Sequence, residues 1–255
     1  MLCLCAAGTN YAQSCDTTFL APDSIQLLAD NAIDAFQKNG DTMFIAGSFH
    51  AVGKPTGSFI GVDKTNGKPV HQPLWPKVAG TVNFALRDGN GGWIIGGKFN
   101  RVGDSLRKNL AWISSAEAVT AWNPGANDEV SCGVRVDSIL YLGGMFSQVN
   151  NVSRTRLAAV KLDDNASLLP LNVPVDNKIN TMAIAGDNLW IGGYFNTVAG
   201  QTRHKLAAIN LLTSLPISQV SNLDSGFLDH VVTIVIADGN LFAGGRFQRQ
   251  GAYCV

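Results

Sequence analysis

The sequence predicts an all-β fold, and within that class a β-propeller built of four-stranded antiparallel blades. Three observations predict it. A Gly-Gly-x-Phe step occurs five times, at Ile45-Ala46-Gly47-Ser48-Phe49, Ile95-Gly96-Gly97-Lys98-Phe99, Leu142-Gly143-Gly144-Met145-Phe146, Ile191-Gly192-Gly193-Tyr194-Phe195 and Ala243-Gly244-Gly245-Arg246-Phe247. Its phenylalanines stand 50, 47, 49 and 52 residues apart, close to the spacing at which propeller blades repeat. No stretch keeps the 3.6-residue period of an amphipathic helix over three turns. A short sheet that is apolar on both faces can bury neither alone, so radial packing, in which each blade covers its neighbour, fits the pattern. A β-sandwich also has short strands at even spacing, but no motif recurring five times in register.

Composition narrows the function classes. With 46% hydrophobic and 15% charged residues over 255 positions, the chain is too apolar for disorder and long enough for a sizeable core. Lys+Arg and Asp+Glu number 19 each, with no basic run interleaved with aromatics. That argues against nucleic acid or an acidic membrane surface as partner. No run of 18 apolar residues occurs, so no transmembrane helix is expected.

In chain order, Met1-Leu2-Cys3-Leu4-Cys5-Ala6-Ala7-Gly8 is apolar and leads to Asn10-Tyr11-Ala12, ending in the small residue expected before a signal-peptidase cut. Residues 1–12 therefore read as a signal-peptide remnant without its positively charged start, the alternative being an ordinary apolar first strand. Residues 13–255 read as repeats, with units one to five starting near 32, 81, 129, 178 and 230. Export implies a secreted or cell-surface location and an oxidising compartment. Of five cysteines, Cys15, Cys132 and Cys254 would remain. Cys132 sits in an apolar strand and reads as a small buried hydrophobe. Cys15 and Cys254, at opposite ends, could bridge, and no Cys/His spacing suggests zinc.

The fourth unit shows the elements most clearly. Lys178–Ile184 is a first strand, Gly186-Asp187-Asn188 a turn, and Leu189–Gly193 a second strand. A polar loop with Gly200 and Arg203 leads to a third strand, Lys205–Ile209, and a fourth is expected near Ile217-Ser218-Gln219-Val220. First strands recur at Ile33–Phe36, Val82–Leu86, Val130–Val134 and Val231–Val235, followed by turns at Asn39-Gly40-Asp41, Asp88–Gly92, Asp137-Ser138 and Asp238-Gly239-Asn240. Third strands recur at Phe59–Val62, Asn109–Ile113 and Arg156–Val160. Units one to three close with Trp75-Pro76, Trp122-Asn123-Pro124 and Val173-Pro174. Glycine inside a strand costs about 0.5–1 kcal/mol relative to alanine, so its recurrence points to a backbone or ring packed closely against the strand. The phenylalanine that follows is read as an anchor between blades. A phosphate cradle is disfavoured, because it needs a strand-to-helix turn and these glycines lead to another strand.

Gly-Gly-x-Phe-x-x-Val, a polar loop with Arg, Leu-Ala-Ala-Ile and a Trp-x-Pro end together resemble the delta-60 type of β-propeller repeat, found in secreted and surface proteins of bacteria. The resemblance runs from about Asp16 to Phe247. Ala46 replaces the first glycine in unit one, and unit four lacks the Trp-x-Pro end. It implies a fold and carries no catalytic residues over. The Asn10-Tyr11-Ala12-Gln13 ending also resembles signal peptides of the Bacteroidetes type. The fifth unit reaches two strands before Val255, and only Thr17-Thr18-Phe19-Leu20 offers an outer strand from the other end. The sequence thus reads as a truncated or incomplete ring, whose exposed apolar face and unpaired edges would favour aggregation.

Candidate chemistry is sparse. The residue after the first apolar position of each first strand is expected to face the propeller axis: Asp34, Asn83, Ser131, Asn180 and Val232. This reads as a solvated channel lining rather than an ion site. Glycoside hydrolysis needs paired carboxylates, and Asp34 is the lone acid of that ring. His50, His71, His204 and His230 fall at unrelated places in the repeat, none beside a Gly-x-Ser-x-Gly elbow. Asp88-Gly89-Asn90-Gly91-Gly92 and Asp163-Asp164-Asn165 lack the downstream acid of a calcium loop and read as hairpin turns. No catalytic, cofactor-binding or metal-binding residue is assigned. The functional expectation is a secreted, non-enzymatic scaffold for an unknown protein or glycan ligand; the alternative is a polysaccharide-active hydrolase or lyase built on a propeller.

Overall fold

The computed structural model describes residues 33–39, 42–48, 51–52, 54–55, 58–68, 76–217 and 229–246. The expected signal remnant at 1–12, Cys15, Thr17–Leu20, Phe49, His50, His71, Trp75, Ser218–Val220, Phe247 and Cys254 lie outside them. Every regular element among the described residues is an antiparallel strand or a turn.

Each unit is a meander. In unit four, Ile179–Ala185 turns through Gly186-Asp187 into Asn188–Gly193, which pairs on its other edge with Leu206–Asn210. Unit one repeats this as Ile33–Asn39, Thr42–Gly47 and Phe59–Asp63, and unit three as Val130–Val136, Ile139–Gly144 and Leu157–Lys161. In unit two, the long strands Val78–Arg87 and Trp93–Val102 pair, and Leu110–Ile113 joins the second. Unit five shows His230–Ala237 against Asn240–Arg246. A two-residue hairpin bridges second and third strands, Gln148–Val149 with Val152–Ser153 and Thr197–Val198 with Gln201–Thr202.

One expectation, the start of the third strand, is corrected. The fourth strand is short among the described residues: unit four has Leu215–Pro216, with Ser218–Val220 of the expected strand outside them, and units two and three have single bridges, Ile113 to Val119 and Val160 to Leu168. An arginine takes over part of its hold. Arg107, Arg154 and Arg203 donate from Nη2 to the carbonyls of Thr120, Leu169 and Ile217 at 2.5, 3.1 and 3.3 Å. The third strands also begin one residue late, because Asn109, Arg156 and Lys205 adopt φ of 66°, 67° and 68°. Each of these residues donates its amide to the carbonyl of Phe99, Phe146 or Phe195 and accepts at its own carbonyl from Gly97, Gly144 or Gly193. That paired bond holds an otherwise unfavourable left-handed conformation.

The cores lie between units rather than within them. Phe59 and Ala46 of unit one meet Val82, Trp93, Ile95 and Phe99 of unit two. Ile94, Leu110 and Trp122 meet Val130, Leu142 and Phe146 of unit three. Tyr141 and Leu157 meet Ile179, Ile191 and Phe195 of unit four, and Leu206 meets Val231 and Ile234 of unit five. Strand alternation explains the division: Leu140 and Leu142 face backward while Tyr141 between them faces forward. Sheets with two apolar faces are thus covered by their neighbours, and Phe99, Phe146 and Phe195 are anchors between units as expected. Trp122 is buried across the same seam, its indole N–H donating to the Lys161 carbonyl at 2.8 Å. Cys132 is buried in the seam between units three and four, and burial pushes its thiol pKa up.

The paired glycines separate into two roles. A methyl group on Gly143 would lie 2.7 Å from Ile179 Cγ2 and 2.8 Å from Met182 Cε of the next unit; on Gly192 it would lie 2.6 Å from Val231 Cγ1. Of the first glycines, Gly143 and Gly192 therefore let the following unit approach, whereas at Gly96 and Gly244 a methyl group would meet Phe84 or Thr233 of the same unit. At the second, a methyl group would land on the carbonyl oxygen of Thr81, Glu129, Lys178 or His230, each just before a first-strand bulge of the same unit. First strands of consecutive units pack side by side. The described residues do not close into a barrel or ring.

Candidate functional site

The five positions expected to face an axis share one local geometry. Register shifts fall between Ile33 and Ala35, Val82 and Phe84, Val130 and Cys132, Ile179 and Thr181, and Val231 and Thr233. Asp34, Asn83, Ser131, Asn180 and Val232 are therefore the bulged residues. A bulge leaves its extra residue out of the ladder and re-aims the side chain, which is why polar residues are accepted in otherwise apolar strands.

Three of the five are joined in polar contacts along the first strands. The Asn83 side-chain amide donates to Glu129 Oε1 at 3.0 Å and to the Val130 carbonyl at 3.1 Å, both in unit three. Asn180 repeats the second contact, donating to the Val231 carbonyl of unit five at 2.9 Å. The Ser131 hydroxyl donates to Glu129 Oε1 at 3.2 Å, and Lys178 Nζ of unit four lies 3.0 Å from the same oxygen. Glu129 thus ties units two, three and four through one carboxylate oxygen. Asp34 and Val232 stand apart from this seam and are exposed, although partial desolvation of the Asp34 carboxyl raises its pKa.

Glu129 and Lys178 were missed from sequence. Their signal was available: they occupy equivalent positions immediately before an apolar first strand, 49 residues apart. The corresponding residue of unit five is His230, which lies at a second polar cluster. Its ring stacks on Tyr194 of unit four, with centroids 4.3 Å apart and planes at 19°. Its Nδ1 is 2.9 Å from Asp229 Oδ1, and Arg246 Nε is 3.3 Å from Asp229 Oδ2. The His230 hydrogen bond is the main cause holding the Asp229 carboxyl below its ordinary range. His204, by contrast, lies in the polar loop, 3.4 Å from Asn196 Oδ1.

The acidic turns are occupied by their own backbone. Asp88 Oδ1 accepts from the amides of Asn90 and Gly92 at 2.7 and 2.8 Å, and Oδ2 accepts from the Trp112 indole at 2.9 Å. Asp163 Oδ1 accepts from the Ser167 amide at 3.1 Å. Among the described residues no group of three or more His, Cys, Asp or Glu could hold a metal ion, and no helix is long and apolar enough to cross a membrane. Chemically, the first-strand seam offers amide, hydroxyl, carboxylate and ammonium groups that already satisfy one another. That arrangement suits cohesion between sheets and hydrogen bonding at their edge.

No protein-family model matches the chain, and neither does any curated protein. Among solved structures, the chain is similar to the computationally designed Ika8 protein, at a TM-score of 0.51 and 11% identity over 83% of this chain and 55% of that one. The extracellular domain of the putative one-component system BT4673 from B. thetaiotaomicron matches at a TM-score of 0.41 and 20% identity, over 64% of this chain and 19% of that one. The chain therefore spans little more than half of the first structure and about a fifth of the second. The first likeness is one of fold alone, and the chain itself is all-β, built of several antiparallel sheets.

Proposed function

We propose that the five units are blades of a β-propeller of the delta-60 type, and that the protein is a secreted or cell-surface binding scaffold rather than an enzyme. The observation that carries the scaffold reading is the fate of its ionisable groups. Glu129 is shared by Asn83, Ser131 and Lys178; Asp88 is taken up by a turn and an indole; Arg107, Arg154 and Arg203 hold carbonyls. Catalysis needs groups aimed at a reacting bond, whereas these are spent on joining strands. Support for export is the apolar stretch Met1–Gly8 followed by Asn10-Tyr11-Ala12.

The ligand class expected of such a scaffold is a glycan or a protein surface. A glycan array probed with the full chain, run beside turnover assays on the polysaccharides it retains, tests the reading. Retention without turnover is the expected outcome. Release of reducing ends from a retained polysaccharide would overturn it in favour of a hydrolase or lyase.

A further inference from the structure

We propose that Lys178 and Asn83 join covalently: the Lys178 amine displaces the Asn83 side-chain nitrogen, with Glu129 carrying the proton, and an amide bond ties unit four to unit two across unit three. The observation is a juxtaposition at a single oxygen atom. Glu129 Oε1 accepts from Asn83 Nδ2 at 3.0 Å and lies 3.0 Å from Lys178 Nζ. The attacking nitrogen and the nitrogen to be expelled are thus both within hydrogen-bond reach of one carboxylate oxygen, which is what a proton carrier between them requires.

The repeat itself brings the three together. Asn83 is the bulged residue of its first strand and is aimed out of the ladder toward unit three, where Nδ2 is also held by the Val130 carbonyl at 3.1 Å. Glu129 and Lys178 each stand immediately before the first apolar residue of the next two first strands, Val130 and Ile179, both fully buried. Those first strands pack side by side. The Lys178 and Glu129 side chains keep 28% and 22% of their surface, so the group sits at the border of the apolar seam. Ser131 steadies the carboxylate by donating to the same oxygen at 3.2 Å.

The reaction balances without any further reagent. Glu129 takes a proton from the Lys178 ammonium, and the freed Nζ lone pair attacks Asn83 Cγ. The tetrahedral carbon then collapses, breaking the Cγ–Nδ2 bond as the carboxyl proton passes to Nδ2. A second proton given up by Nζ completes the departing ammonium ion, and the Glu129 carboxylate is regenerated; nothing is oxidised or reduced. In water, proton transfer from an ammonium to a carboxylate is uphill by about six pKa units. Holding amine and amide side by side offsets this through an effective concentration of about 10⁵–10⁸ M, and a bond made once per molecule has hours to form. The step modifies the protein itself and turns over no substrate, so it is compatible with a binding scaffold. Cys132, in the seam between units three and four, is a free thiol, so no disulfide fastens that seam through it.

Peptide mapping by mass spectrometry of the folded full chain, digested after denaturation, reads the bond directly. The expected result is a branched peptide joining the segments that carry Asn83 and Lys178, lighter than the two together by one ammonia and uncut by trypsin at Lys178. Glu129→Gln should slow its formation by about 100-fold or more, the effect of losing a positioned proton carrier. Lys178→Arg, which keeps the cation without a primary amine, should abolish it, and circular dichroism checks that both variants fold. The parent alone decides whether the bond exists: separate, unmodified Asn83 and Lys178 peptides overturn the proposal in favour of an ordinary ion pair. A branch that forms as fast in Glu129→Gln as in the parent overturns it as well.

Discussion

At the second glycine of the repeated step, one added methyl group would meet a backbone carbonyl, and at the first it would meet the ends of side chains. The difference decides how each responds to substitution, because a backbone oxygen fixed in a bulge cannot move aside as Met182 Cε or Val231 Cγ1 can. The chain contains its own control. Unit one has Ala46 at the first position, buried and accommodated, whereas Gly47, Gly97, Gly144, Gly193 and Gly245 keep the second position glycine in every unit. Gly193→Ala is expected to destabilise by about 3 kcal/mol and Gly192→Ala by about 1 kcal/mol, within the range for overpacking. Urea denaturation of the two variants checks the order, and equal losses would contradict these separate roles. Asp229 gives a second residue-scale prediction. Its folded pKa lies below the ordinary value, so its contribution is present above that ordinary value of about 3.9 and is lost as pH falls through the folded one. Asp229→Asn should therefore flatten the acid limb of the stability profile measured by urea denaturation.

Between residue and sheet, the fourth strand illustrates how a repeat can replace a hydrogen-bonded ladder by side chains. Units two, three and four keep one or two bridged pairs, and the arginine two residues before each left-handed position reaches across to the next carbonyl along. Arg154→Ala should remove the tie to Leu169 and cost about 1.5–3 kcal/mol, as for hydrogen bonds made by charged groups. Arg154→Lys should restore little, because a single ammonium cannot hold both the Ser153 and Leu169 carbonyls as the guanidinium does. Amide exchange at Leu169, whose N–H donates to Ala159, reads the loosening directly. The same elements mark how far the sequence could be read. First and second strands were legible because apolar alternation and a turn residue bracket them, and the glycine step fixed their phase. The third-strand start was not, since Arg156 and Lys205 are poor advertisements for positive φ and only their paired bonds with Phe146 and Phe195 reveal why they adopt it. The five positions expected to face an axis fall at equivalent places, one bulge in each first strand. That these positions are bulges depends on how the first and second strands of each unit pair, and Glu129 meets Asn83 and Lys178 46 and 49 residues away, so only comparison across repeats, not a local window, points to them.

For the molecule as a series of sheets, stability should be distributed by neighbour contacts, as in other serial repeats where each unit touches only those beside it. Units two, three and four have both apolar faces covered, whereas Phe242, Val235 and Val232 leave one face of unit five in solvent. A sheet with apolar residues of one face in solvent opens without requiring the rest to unfold. Native-state amide exchange on the dilute chain should therefore show the slowest amides in the paired strands of unit three, such as Leu142 and Val134. Ile234 and Ala243 in unit five should exchange at least about ten-fold faster, a difference of about 1.4 kcal/mol in opening free energy. Uniform protection across all units at every dilution would instead require a single cooperative body, with the terminal sheets held as firmly as the central ones. That result would contradict the serial account at its root, because an exposed Phe242 and an exposed Ile33 would then carry no energetic consequence.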